Sequence, residues 1–167
     1  MKHFKKKYIP IYILAGAFII YNIIWLIYCI PYIEKKFELG FSFDRFNFTC
    51  VEGGYMYSVA MPGYLSKTGN LSLSEMEDTY RQPSELATGM IIFPNKDFDE
   101  FEVWLDVEVK DENGWEKLIH IKLDENMKPL DFESEIKLEE YPECKEAARL
   151  IYKKVYDKWG ILGGGLN

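Results

Sequence analysis

Residues 8–33 form an apolar run of 26 positions without a single Asp, Glu, Lys, Arg or His. In an α-helix each residue rises about 1.5 Å, so about 20 apolar residues cross the hydrocarbon core of a bilayer, which is about 30 Å thick. The run therefore predicts one transmembrane helix. The rest of the chain is predicted to be a domain that this helix tethers to the membrane.

A cleavable signal peptide is the main alternative for the same residues. Ala15-Gly16-Ala17 fits a small-x-small cleavage pattern, but the apolar run continues for sixteen residues beyond it. Cleavage there would leave a hydrophobic N-terminus exposed, so we expect an uncleaved signal anchor. Asn22 is the one strongly polar side chain in the run, and its amide could bond to a neighbouring helix. If Asn22 makes such a contact, the transmembrane helix itself carries the function and the domain takes no part in it.

Basic residues on the two flanks predict the orientation of the helix. The tail, residues 1–7, carries four lysines, whereas the opposite flank carries only Lys35 and Lys36 near the membrane. Because basic residues favour the cytoplasmic side, the N-terminus is predicted to be cytoplasmic and the domain extracytoplasmic, in a single-pass protein of the cell membrane.

The charge beyond residue 33 narrows the choice of partner. That part of the chain has 16 basic and 27 acidic residues, a net charge of −11. Such a domain repels phosphate backbones, so no nucleic-acid partner is expected. The predicted partners are the membrane, through one integral span, and a protein or carbohydrate on the outer face of the domain.

The predicted fold class is α+β, with a mostly antiparallel β-sheet and a C-terminal amphipathic helix packed on it. Residues 34–40 are predicted to prolong the first helix as a linker that Gly40 ends, because glycine readily adopts the left-handed conformation. The α+β domain is assigned to residues 41–160. Residues 161–167 are predicted to be a flexible glycine-rich tail.

A first hairpin is predicted at Gly53-Gly54, a dipeptide that suits a two-residue turn. Apolar residues alternate on both sides of it. Folding there makes three pairs on one face: Phe46 with Met61, Phe48 with Val59 and Cys50 with Tyr57. After Pro62-Gly63, residues 64–67 and 71–73 are predicted to be two short strands or one kinked strand. Residues 90–93 are predicted to be a buried central strand.

A second hairpin follows from the alternation of Phe101, Val103, Leu105, Val107 and Val109 with polar residues. A two-residue turn at Asn113-Gly114 would place polar and apolar side chains opposite each other. A three-residue loop, residues 112–114 with Gly114 left-handed, corrects the register. The apolar pairs are then Val107 with Ile119, Leu105 with Ile121 and Val103 with Leu123, and the outer pairs are Asp106 with His120 and Trp104 with Lys122.

Two elements are predicted at the C-terminal end. Residues 130–138 alternate apolar and charged side chains, which predicts an edge strand. Pro142 then opens a helix that Gly160 ends. Its apolar positions recur at helical spacing and should lie on the inner face of the sheet: Cys144, Ala147, Ala148, Ile151, Tyr152, Val155, Tyr156 and Trp159.

Few residues suit catalysis, so no cofactor, metal site or catalytic residue is assigned and the chain is predicted not to be an enzyme. His120 beside Asp106 resembles part of a catalytic triad, but no Ser or Cys nucleophile is placed near them, and a cross-strand ion pair explains both. The alternative is a membrane-anchored enzyme that uses this pair or two converging carboxylates. No acidic cluster has the ligand spacing of a calcium loop.

Exposed aromatic rings are the remaining clue, because flat rings suit sugars, peptides or other proteins. The candidate binding residues are Trp104, Tyr64, Trp115 and His120. Cys50 and Cys144 could form one disulfide outside the membrane, although both also lie on predicted apolar faces, where unpaired thiols are common. The chain is thus predicted to act as a binding or interaction module, either alone or as a subunit of a membrane complex.

Overall fold

The computed structural model describes residues 8–39, 43–44, 47–76, 88–110 and 114–163, and it confirms the predicted α+β fold. A long helix, α1 (Ile9–Leu39), precedes a seven-stranded sheet, and two further helices follow, α2 (Phe132–Glu140) and α3 (Glu143–Trp159). The strands are β1 (Phe43–Asp44), β2 (Asn47–Glu52), β3 (Tyr55–Ala60), β4 (Asn70–Glu75), β5 (Thr88–Pro94), β6 (Phe101–Lys110) and β7 (Glu116–Leu123).

The sheet is a meander in which each strand is antiparallel to the next, in the order β1 to β7. Gly53 and Gly54 have φ values of 60° and 82°, as a tight hairpin turn requires. Two of the predicted pairs of the first hairpin are confirmed, Phe48 with Val59 and Cys50 with Tyr57. The third predicted pair involves Phe46, which lies outside the described residues.

The second hairpin has the predicted register. The three apolar pairs and the two outer pairs that the three-residue loop predicts are all present. Gly114 has a φ of 81°, and residues 111–113 lie outside the described part of the chain. The predicted central strand is also confirmed as β5, between β4 and β6. Between β3 and β4, Tyr64 and its neighbours form a turn, so β4 alone is the strand there.

The core lies between the inner face of the sheet and α3. Seven of the eight predicted stripe residues of α3 are buried, whereas Tyr156 is 48% exposed. Gly160 ends the helix with a φ of 67°, and its N–H donates to the carbonyl of Tyr156. Trp159 and Tyr152 are among the largest fully buried side chains.

The edge strand predicted over residues 130–138 is wrong, because most of this segment is α2. Asp131 caps the helix by accepting a hydrogen bond from the Ser134 N–H at 2.8 Å. Only Ser134 and Leu138 are buried, four residues apart, and Phe132 is 75% exposed. The alternating apolar residues therefore do not form one face on the core, because several of them are exposed to solvent.

Helix α2 covers the free edge of β7. The Ser134 hydroxyl accepts from the Lys122 N–H at 2.9 Å, and Lys137 Nζ donates to the carbonyl of His120 at 3.0 Å. Just before α2, the N–H of Leu130 donates to the carbonyl of Lys122 at 3.0 Å. Side chains and a short backbone segment thus satisfy the edge groups that a further strand would otherwise pair.

Helix α1 is long and apolar enough to cross a membrane. It has two parts with different surroundings, which we call the free half, residues 9–20, and the docked half, residues 21–36. Every large apolar side chain of the free half is exposed, whereas Cys29 and Tyr32 are buried against the domain. The Asn22 amide donates to the carbonyl of Phe18 at 2.7 Å, within the helix itself.

The end of the docked half contacts two elements of the domain. Lys35 Nζ donates to the carbonyl of Trp159 at 2.6 Å, and Lys36 Nζ lies 3.7 Å from the centre of the Phe48 ring. Tyr32 belongs to the same hydrophobic cluster as the sheet and α3. The helix beyond residue 33 therefore packs as part of the folded unit, and it stays helical to Leu39.

Candidate binding surfaces

The outer face of the β6–β7 hairpin brings together two of the predicted binding residues. On β6, Trp104 and Asp106 alternate with buried residues, and on β7 His120 and Lys122 lie opposite them. Their side chains and those of α2 line a depression of about 270 Å³. We call this set the Trp104 surface: Trp104, Asp106, His120, Lys122, Asp131, Glu133, Ser134 and Lys137.

Trp104 is held in a fixed orientation although its side chain is 44% exposed. Its ring centre lies 4.9 Å from that of Phe93 on β5, and its Nε1 donates to Glu102 Oε1 at 2.6 Å. Lys122 Nζ lies 5.8 Å from the ring centre, within reach of a cation–π interaction. The surface thus offers a preoriented aromatic ring with charged groups on its rim.

His120 and Asp106 form the predicted cross-strand pair, with His120 Nδ1 at 2.6 Å from Asp106 Oδ1. Both side chains are well exposed, at 66% and 41%. The imidazole therefore lies on an open sheet face beside a carboxylate. In this position it can donate a hydrogen bond to, or accept one from, a group bound in the depression.

The α2 side of the depression carries the carboxyl group of Asp131. Hydrogen bonds from the side chain and backbone of Ser134 lower the pKa of the Asp131 carboxyl below its usual value. Asp131 also lies 3.7 Å from Lys122 Nζ, and Lys137 pairs with Glu133 at 2.6 Å. Lysines and carboxylates thus both line the depression beside Trp104. A volume of about 270 Å³, below the range of typical ligand pockets, suits one ring-sized group such as a sugar or a side chain.

The other two predicted binding residues lie elsewhere. Trp115 is 74% exposed, at the end of the sheet where the β6–β7 hairpin turns. Tyr64 lies in the 61–69 loop, between β3 and β4, at the opposite end of the sheet. Its ring packs on α1, at 4.8 Å from the Tyr21 ring and 5.5 Å from the Trp25 ring. The four predicted residues therefore belong to three separate places.

The contact between α1 and the 61–69 loop was not predicted from the sequence. Four aromatic residues of α1 form one face, which we call the aromatic face: Tyr21, Trp25, Tyr28 and Tyr32. Their spacing of four, three and four residues is the signal in the sequence, because such positions share one side of a helix. That spacing alone identifies a face and says nothing about its partner.

A second depression, of about 420 Å³, lies where α2, α3 and the turn after β7 meet. Its floor is apolar, with Leu123, Met127 and Leu138, and its rim carries charged groups that include Lys145 and Glu139. Sequence reasoning did not find it, because α2 was predicted as a strand.

Both cysteines of the predicted disulfide are free thiols in the structure, as is Cys29. Cys50 is half-buried on β2, whereas Cys144 is fully buried at the start of α3. Burial, with a smaller contribution from Glu143, raises the pKa of the Cys144 thiol to about 11. The bridge between Cys50 and Cys144 stays a prediction that counting thiols can test.

Across the described ranges there is no cluster of three or more His, Cys, Asp or Glu side chains arranged to hold a metal ion. Comparisons with models of protein families, with curated protein sequences and with solved structures found no match.

Proposed function

We propose that this chain is a single-pass membrane-anchored binding module, whose acidic domain captures a protein or carbohydrate partner outside the cytoplasm through the Trp104 surface. The observation that carries the proposal is the exposed, preoriented Trp104 ring in a depression that lysines and carboxylates line. Tryptophan side chains that become buried on binding are among the residues that contribute most to affinity at many interfaces.

The free half of α1 supports anchoring in a membrane. Its large apolar side chains face outward on all sides, so in water they would leave a wide hydrophobic surface unprotected. A helix that is apolar all round is stable in lipid, where its backbone groups are satisfied internally.

The contacts of the two lysines on the far flank support the proposed orientation. Lys35 and Lys36 are engaged with Trp159 and Phe48 of the domain. The lysines of the tail, residues 1–7, outnumber them. The tail therefore carries the stronger preference for the cytoplasmic side.

Alkaline carbonate extraction and a pair of C-terminal fusions test anchoring and orientation. We expect the full chain to stay in the membrane fraction, a C-terminal alkaline phosphatase to be active, and a C-terminal green fluorescent protein that folds only in the cytoplasm to be dark. Release by carbonate would contradict anchoring, and the reverse fusion pattern would contradict the orientation alone.

Photo-crosslinking in native membranes tests binding. A benzophenone amino acid at Lys122, beside Trp104, is expected to give a discrete adduct that Trp104→Ala abolishes. The matched control places the same group at Leu150, which is 54% exposed on the outer side of α3, and is expected to give no such adduct. An adduct that Trp104→Ala leaves unchanged, or an equal adduct from both positions, would contradict the proposal.

A further inference from the structure

We propose that the 61–69 loop is a second membrane-contacting element, which lies in the outer part of the bilayer against the aromatic face of α1 and has lipid as its partner. This inference rests on the proposed anchoring by α1. It adds a lipid-binding surface on the domain itself and fixes how the domain sits relative to the membrane.

The depth of each α1 residue in the bilayer can be counted from the start of the span. If the span begins at Ile9, just after the lysine-rich tail, about 20 residues bring it to Tyr28 at the far boundary of the hydrocarbon. Tyr21 and Trp25 then lie about 10 Å and 5 Å inside that boundary. Both contact the 61–69 loop, because the Tyr21 hydroxyl donates to the carbonyl of Tyr64 and Trp25 Nε1 donates to the carbonyl of Pro62 at 3.1 Å.

The helix cannot simply move outward to keep the loop in water. Such a movement would draw the lysines of residues 1–7 into the hydrocarbon, where charged side chains are strongly disfavoured. The docked half holds the loop at the level of its own aromatic residues. An anchored α1 therefore carries the loop into lipid.

The hydrogen bonds of the loop suit such surroundings. Its backbone closes on itself, because the Gly63 N–H donates to the carbonyl of Thr68 at 3.0 Å and the Lys67 N–H donates to the carbonyl of Gly63 at 2.8 Å. At the end of the loop, the Gly69 N–H donates to the Tyr32 hydroxyl at 3.3 Å. Tyr21, Trp25 and Tyr32 of α1 thus satisfy three backbone groups of the loop that would otherwise need water.

The side chains of the loop match an interface between lipid and water. Leu65, at its tip, is 88% exposed, and the adjacent Tyr64 is 40% exposed. Tyr and Trp residues gather at the level of the headgroups, and a lysine there extends its amine toward the phosphates. Lys67 Nζ lies 5.5 Å from the Tyr21 ring and 5.4 Å from the Tyr28 ring.

Charge separates the loop from the rest of the domain. The nine residues of the 61–69 loop include one lysine and no Asp or Glu, in a region beyond residue 33 with a net charge of −11. An anionic lipid surface repels most of the domain but not this loop. The acidic surface therefore stays in water while the loop meets the bilayer.

Depth-dependent quenching tests the inference on the full chain in vesicles of phosphatidylcholine and phosphatidylglycerol. The half-buried Cys50 is replaced by Ser, and a cysteine for an environment-sensitive fluorophore is introduced by Leu65→Cys, Phe18→Cys or Trp115→Cys. The parent without an added cysteine is the labelling blank, since Cys29 and Cys144 are buried. Phe18 lies in the free half, and Trp115 lies at the far end of the sheet, about 30 Å from the loop.

We expect the label at position 65 to be quenched by spin-labelled lipid and to be protected from quenching by aqueous iodide, as the label at position 18 should be. The label at position 115 is expected to behave in the opposite way. If position 18 is lipid-quenched while position 65 behaves like position 115, the loop inference is wrong and anchoring stands. If position 18 is also quenched by iodide, the proposed anchoring itself fails.

A second copy of the chain could also shield the tip of the loop, and dilution separates this case. Reconstitution over a range of protein-to-lipid ratios should leave the shielding of position 65 unchanged if lipid is the partner. Shielding that falls as the protein is diluted in lipid would overturn the inference in favour of self-association.

Discussion

The free and docked halves of α1 are both mostly apolar, yet only the docked half packs on the domain. In the free half, residues 9–20, the large side chains are exposed on every side of the helix. In the docked half, residues 21–36, one face packs on the 61–69 loop, the sheet and the end of α3. Hydrophobicity alone does not explain this difference.

What distinguishes the halves is the kind of apolar residue. The free half consists chiefly of aliphatic side chains without donors, whereas the aromatic face of the docked half carries three hydroxyls and one indole N–H. Such groups can satisfy a facing backbone while the rings exclude water. Apolar length thus lets a helix enter lipid, and the polar ends of its aromatic residues decide what packs beside it.

Charging the free half should have the largest effect. With Phe18→Lys and Ile19→Lys together, we expect a penalty of about 6 kcal/mol for membrane insertion, because each lysine near the bilayer centre costs about 3 kcal/mol. Carbonate extraction should then release most of the chain from membranes.

The matched control charges two exposed apolar residues of the domain, Leu150→Lys and Tyr156→Lys on α3. They are 54% and 48% exposed, so membrane retention should stay unchanged. Retention of the α1 double variant at the level of this control would mean that the free half does not lie in lipid.

Truncating the docked half should destabilise the domain. Tyr32 is 5% exposed and packs edge-to-face on Phe98, with ring centres 5.0 Å apart. Tyr32→Ala removes this contact and the acceptor for the Gly69 N–H, so we expect a loss of about 3–5 kcal/mol in the free energy of unfolding. Urea unfolding in detergent, followed by near-UV circular dichroism, measures it. Phe18→Ala is the control, because Phe18 lies in the free half and is 64% exposed. An equal loss for both variants would remove the distinction between the halves.

A methyl group added where the 61–69 loop meets the docked half should destabilise the domain, whereas one added in the free half should not. A Cβ at Gly69 would lie 2.5 Å from the carbonyl oxygen of Ala60 and 2.7 Å from the Tyr32 ring, whereas at Gly16 nothing lies within 4 Å. Overpacking of this kind costs about 1–3 kcal/mol, so Gly69→Ala should lower the stability of the domain by that amount.

Gly16→Ala provides the comparison in the free half. Alanine favours a helix over glycine by about 1 kcal/mol, and no neighbour opposes the added methyl group there. This variant should therefore be neutral or slightly stabilising in the same unfolding measurement. A loss comparable to that of Gly69→Ala would indicate an unrecognised contact at Gly16.

The sheet could be predicted because independent signals agreed. Turn glycines and alternating apolar residues demanded the same register in both hairpins, and only the three-residue loop before Trp115 kept polar residues off the core face. The segment that became α2 gave no such agreement. Its apolar residues alternate, but the Asp131–Ser134 cap and the Glu133–Lys137 pair at helical spacing stabilise a helix instead.

The candidate surfaces could be predicted only where they lie on strands whose register was predicted correctly. Trp104 and His120 could be placed on one outer face, because their hairpin was correctly paired. The α2 side of that surface was missed together with α2 itself. The contact of Tyr64 with Tyr21 on α1 joins residues 43 positions apart in the chain, and no local pattern encodes such a contact.

Thiol reactivity sharpens the comparison without any substitution, since each cysteine reports a different environment. In detergent, half-buried Cys50 should react readily with a maleimide, whereas Cys29 in the docked half and Cys144 in the core should react only after unfolding. Burial raises the pKa of Cys144 to about 11, so the reactive thiolate is scarce at pH 7.

The same pKa shift makes stability depend on pH. Between pH 9 and pH 11 the folded state keeps the Cys144 proton, whereas the unfolded thiol, with a pKa of 9.0, loses it. The contribution of Cys144 to stability is therefore full below pH 9 and declines toward pH 11. Fast labelling of Cys29 in the folded chain would show that lipid, rather than the domain, covers it in membranes. After unfolding without reductant, labelling of only one thiol instead of three would reveal a disulfide.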